Sequence, residues 1–134
     1  MRRIHVAAAA TLALLVLATT ATASGIRRVG PNANGTSIMF PLDTILVVSL
    51  PGNATTGYRW RVRQVNREIL KPLSVRYMPK KPLPGHVGTG GTYVLRFQAV
   101  SYGMTRLRLV YTQAGSSGTA TKTFTLRVRV PERL

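Results

Sequence analysis

The chain has 134 residues, 19 of them Lys or Arg against three acids, for a formal net charge of +16. That length fits a single domain, and the absence of cysteine excludes disulfides, a thiol nucleophile and a thiolate metal site. The charge predicts attraction to polyanions and acidic protein surfaces and says nothing about fold.

Residues 1–23 read as an export signal. Arg2 and Arg3 give a positive start, and residues 6–18 form an apolar run too short to span a bilayer comfortably. Ala21-Thr22-Ala23 then supplies the small residues that precede cleavage before Ser24. The mature chain is therefore expected to be secreted or periplasmic, without stable membrane insertion, and export argues against nucleic acid as its physiological partner. Residues 24–36 are rich in Gly, Pro and Asn and are expected to be a flexible lead-in, with the folded domain over 37–134.

Ser37-Ile38-Met39-Phe40 reads as a short edge strand cut off by Pro41. The run from Thr44 to Leu50 is apolar at nearly every place and suits a central strand, ended by Pro51 and Gly52. Asn53-Ala54-Thr55-Thr56 follows, short polar side chains able to bond to nearby backbone, and Gly57 permits a sharp re-entry. After it Tyr58, Trp60 and Val62 alternate with Arg59, Arg61 and Arg63, the period of a half-buried strand, and Trp60 is expected in the core. Residues 64–70 are left as a helical turn or an irregular link, and residues 74–78 as a weaker strand.

Residues 79–91 are too rich in Pro and Gly for helix or ladder and are expected to form a long exposed loop. Next, Tyr93, Leu95, Phe97 and Ala99 share one face, as do Leu107, Leu109 and Tyr111, and then Phe124, Leu126, Val128 and Val130. If the last two strands pair, Arg106 and Arg108 share an outer face with Arg127 and Arg129. The whole reads as an all-β antiparallel sandwich of about seven strands.

Catalytic chemistry has no materials here. His86 is the only imidazole outside the signal, it lies in the Pro/Gly loop, and Asp43, Glu68 and Glu132 are scattered. No cofactor and no metal are expected, and the chain reads as a binding protein, not an enzyme.

Two stretches carry a family likeness. Asn53-Ala54-Thr55-Thr56-Gly57-Tyr58-Arg59-Trp60 resembles the Asn-Pro-Thr-Thr-Gly-Tyr-x-Trp motif of chagasin-like inhibitors of papain-family cysteine peptidases. Gly88-Thr89-Gly90-Gly91 matches that family's Gly-x-Gly-Gly loop, and the later strands are similar as well. The resemblance implies an immunoglobulin-like sandwich with three loops at one end and a papain-like peptidase as partner. It further implies that Thr55, Thr56 and Gly57 form a wedge in the active-site cleft, with Asn53 and Tyr58 at its base and Gly88, Gly90 and Gly91 in a flanking loop. Two positions depart from the pattern. Ala54 stands where the family has Pro, and Gln113 opens a third loop that lacks the family's Arg-Pro-Trp. A second reading is a basic immunoglobulin-like module that binds anionic cell-surface polymers or an acidic protein without inhibiting anything. A monomer is expected in either case.

Overall fold

Alternation of inward apolar and outward polar residues runs along much of the later strands, and the apolar faces of two sheets close on each other. The computed structural model describes residues 25–85, 89–115 and 120–133. Within them lie eight strands: β1 (Ile26–Val29), β2 (Thr36–Met39), β3 (Ile45–Gly52), β4 (Tyr58–Gln64), β5 (Leu70–Pro79), β6 (Gly91–Ala99), β7 (Gly103–Gln113) and β8 (Lys122–Val130). They form two four-stranded sheets, one ordered β1-β3-β6-β5 and the other β2-β8-β7-β4. The expected all-β sandwich is present.

The core is made by the faces that alternation marks in the later strands and by the continuously apolar β3. Leu46, Val48 and Leu50 of β3 and Leu95, Phe97 and Ala99 of β6 meet Leu107 and Leu109 of β7 and Phe124, Leu126 and Val128 of β8. Trp60 is 5 % exposed, as a large ring on an inner face should be.

Several expectations need correction. The lead-in is not irregular: β1 pairs with β3 and β2 with β8, both in parallel. The chain crosses from one sheet to the other between them, through a 3-10 turn at Pro31–Ala33. Asn34 fixes that crossing, because its Oδ1 accepts from the Thr125 amide (2.8 Å) while the Gly35 amide donates to the Thr125 carbonyl (2.7 Å). The sandwich thus has eight described strands and is not wholly antiparallel. β5 is twice as long as expected; it accommodates Pro72 at an irregularity between Pro72 and Ser74, which its edge position permits. Residues 66–69 make a turn without helix, with Asn66 Oδ1 accepting from the Glu68 amide (3.0 Å). β3 also runs past Leu50 through Pro51 and Gly52. By then β1 has ended, so β3 has one ladder partner and tolerates a residue without an amide.

The strand directions place three connections at one end: β3 to β4, β5 to β6, and β7 to β8. The other end carries the β2–β3, β4–β5 and β6–β7 turns.

Candidate functional site

The β3–β4 loop is built around one side chain. Asn53, in extended conformation, caps a single 3-10 turn at Ala54–Thr56, and Gly57 closes it in the left-handed region (φ 80°). Asn53 Oδ1 accepts from both the amide (3.1 Å) and the hydroxyl (2.6 Å) of Thr55. The Asn53 carbonyl accepts from the hydroxyl (2.6 Å) and the amide (3.3 Å) of Thr56. Asn is the residue type for this task, since one carboxamide oxygen can satisfy several local donors. Ala54 to Gly57 are exposed, so the loop is stiffened from within and not by burial. Both threonine hydroxyl protons are donated inward, which leaves the tip presenting methyl groups and acceptor lone pairs.

The core holds the base of this loop. The Tyr111 hydroxyl accepts from the Asn53 amide (2.9 Å) and donates to the Asn53 carbonyl (3.4 Å). The Trp60 indole donates to the Pro51 carbonyl (3.0 Å), and the Tyr93 hydroxyl donates to the Tyr58 carbonyl (3.0 Å). Tyr111 stacks between Tyr58 and Trp60 at 5.5 and 5.3 Å, and Tyr93 lies 4.8 Å from Tyr77. Sequence reasoning placed Tyr93 and Tyr111 only as core residues. The available signal was their type, because a buried phenol needs a partner that Phe or Leu would not. Burial, then the neighbouring Tyr111 and Tyr77, push the Tyr93 phenol above its ordinary value, against an opposing pull from Arg59. A raised phenol favours the neutral folded form, so its stabilisation is complete below pH 10 and is lost as the pH climbs past that. Alkaline denaturation should therefore steepen above pH 10, and Tyr93→Phe should flatten it.

The flanking loops touch the first. A methyl on Gly90 would lie 3.2 Å from the Gly52 carbonyl oxygen and 3.8 Å from Asn53 Cβ, and Gly90 itself has φ 79°. The Gly90 carbonyl accepts from the Lys80 amide (3.0 Å) and closes the base of the β5–β6 loop. From the third loop the Ala114 amide donates to the Gly57 carbonyl (2.8 Å), next to Gln113, which pairs with Tyr58. Asn53, Thr55, Thr56, Gly57, Tyr58, Gly90, Gly91 and Gln113 therefore share one end of the sandwich. Gly88, His86 and residues 116–119 lie outside the described residues. Beside the first loop, a hollow of about 490 Å³ opens between edge strands β4 and β5, with Arg59, Val75 and Tyr77 in its wall.

Ala54 occupies the first position of the 3-10 turn, and Asn53 before it has φ −136° and ψ 103°. Proline is pre-set for that position, and the residue before it is already extended, within about 20° of the region that precedes proline. Ala54→Pro is expected to stabilise the protein by about 0.5–1 kcal/mol through the unfolded chain, read as a higher denaturation midpoint.

The model of the chagasin family of peptidase inhibitors (I42) matches residues 40–128. The chain belongs to that family. Its members are peptidase inhibitors and not enzymes. This chagasin-family chain is 32 % identical to Amoebiasin-1 of Entamoeba histolytica over 99 residues, 72 % of this chain and 92 % of that one. The solution structure of Amebosin superposes with a TM-score of 0.65 at 30 % identity, covering 79 % of this chain and 97 % of Amebosin. The cysteine protease inhibitor EhICP2 of Entamoeba histolytica shares the fold, with a TM-score of 0.70 at 16 % identity over 79 % of this chain and 96 % of that one.

Proposed function

We propose that this chagasin-family inhibitor acts reversibly on papain-like cysteine peptidases, with the Asn53–Gly57 turn as the element that enters the active-site cleft. The observation that carries this reading is the internal bonding of that turn around Asn53. A peptide is cleaved when it lies extended across the nucleophile. Extending this turn would break the bonds from Thr55, Thr56 and Gly57, so the loop can fill a cleft without presenting a scissile bond. Because it is ordered before contact, little conformational entropy is lost on docking. The exposed ends of the other two loops would meet the rims of the cleft, Gly90 on one side and Gln113 and Ala114 on the other. The hollow walled by Arg59 and Tyr77 offers a place for a side chain from the peptidase, where the family's Arg-Pro-Trp sequence is missing.

Titration against papain tests this. Competitive inhibition that reverses on dilution is expected, with the inhibition constant nearly unchanged between low and moderate salt because the contact is not chiefly ionic. Full peptidase activity in the presence of a large excess of the protein would overturn the proposal. So would its steady digestion as a substrate.

Residues 1–23 are proposed to direct export, giving a secreted or periplasmic protein. Terminal sequencing of the exported chain should begin at Ser24, and an uncleaved N-terminus would refute this.

A further inference from the structure

The inhibitory reading leaves the charge of this chain unused. Arg106 and Arg108 on β7 and Arg127 and Arg129 on β8 are all exposed and point away from the core. These strands are the inner pair of their sheet, so the four guanidinium groups occupy the centre of its outer face. Arg106 stands directly opposite Arg127, a repulsive pairing. Across the ladders the other neighbours are Thr, Ser, Met and Gln, with no acid to relieve it. Asp43 and Glu68 sit in end turns, and Glu132 lies past β8, where it borders a hollow with Met104 and Arg129.

One further observation concerns the end of this face remote from the loops. Met39 and Met104, 50 % and 68 % exposed, flank Arg129 in register on β2 and β7.

We propose that this face docks on an anionic lipid bilayer. The four guanidinium groups bind headgroup phosphates, while Met39 and Met104 enter the boundary with the acyl chains. An anionic polymer would engage the arginines but give the two methionines nothing to do. Docking through this face leaves the loop end uncovered, so an inhibitor held at a cell surface keeps its wedge available.

Sedimentation of the exported chain, residues 24–134, with vesicles tests the proposal independently of peptidase inhibition. Neutral phosphatidylcholine vesicles measure the background, and vesicles containing phosphatidylglycerol measure the basic face. At least tenfold tighter binding to the anionic vesicles is expected. The quadruple variant R106Q/R108Q/R127Q/R129Q should lose that preference. R27Q/R28Q/R76Q/R96Q has the same net charge but is altered on the other sheet, and should keep it. M39S/M104S should weaken anionic binding several-fold, and thermal melts confirm that each variant is folded. Equal losses in the two quadruple variants would reduce the effect to net charge and overturn the proposal. So would equal wild-type binding to both vesicle types, or displacement from vesicles by dextran sulfate that M39S/M104S leaves unaltered.

Discussion

Gly91→Ala is expected to lower stability by about 3 kcal/mol or more, or to prevent folding, because there is no room for a methyl group. A Cβ at this position would meet the carbonyl oxygen of Met78 and lie 2.8 Å from the Pro79 Cα. Both are backbone atoms of β5, and Gly91 pairs with Pro79 at the first rung of the β5–β6 ladder. No rotamer change can relieve such a contact. Either β5 is pushed outward or the rung opens, and the loop whose base it closes is released. Gly25 is the comparison, since a Cβ there has nothing within 4 Å and no unusual φ. Chemical denaturation should show Gly25→Ala near the wild type and Gly91→Ala far below it. Similar midpoints for the two variants would mean that β5 yields easily, and the steric account would be wrong.

Replacing Thr55 and Thr56 together by Asp is expected to abolish inhibition while the fold persists. Both residues are exposed and contact nothing in the core, so the structural loss is confined to the bonds they make with Asn53. In the complex the two carboxylates would be desolvated beside a catalytic thiolate. An uncompensated buried charge costs several kcal/mol, which corresponds to a loss of roughly a thousandfold or more in affinity. Thr55→Val with Thr56→Val makes the complementary test. It keeps the shape and removes the hydroxyls, so it should loosen the turn and weaken inhibition far less than the charged pair. Unchanged inhibition by the Asp variant would remove the wedge from the mechanism, whatever else the protein binds.

What could be read from the sequence follows from how locally each feature is encoded. Tyr93, Leu95, Phe97 and Ala99 declare their strand because burial on one face imposes a period of two. β1 makes no such declaration. Ile26, Arg27 and Arg28 are exposed, and the strand exists only because its backbone completes the edge of β3. The same distinction runs through the site. Asn53, Thr55 and Thr56 bond to one another within a few residues, so their motif is recognisable in the sequence. The tyrosine hydroxyl that holds Asn53 comes from 58 residues away, and no local pattern announces it. The need for glycine at position 91 was visible as part of a motif. Its cause, the backbone of β5, becomes apparent only when the sheet is assembled.

Inhibition by this chain requires that its loop end cover the catalytic cysteine of the target. The rate at which iodoacetamide alkylates papain, with increasing amounts of the protein, measures this directly. The rate should fall in proportion to the inhibitor bound and approach zero at one equivalent, with the inhibitor recovered intact. Alkylation at the uninhibited rate in a saturated complex would place the contact away from the cleft and contradict the account.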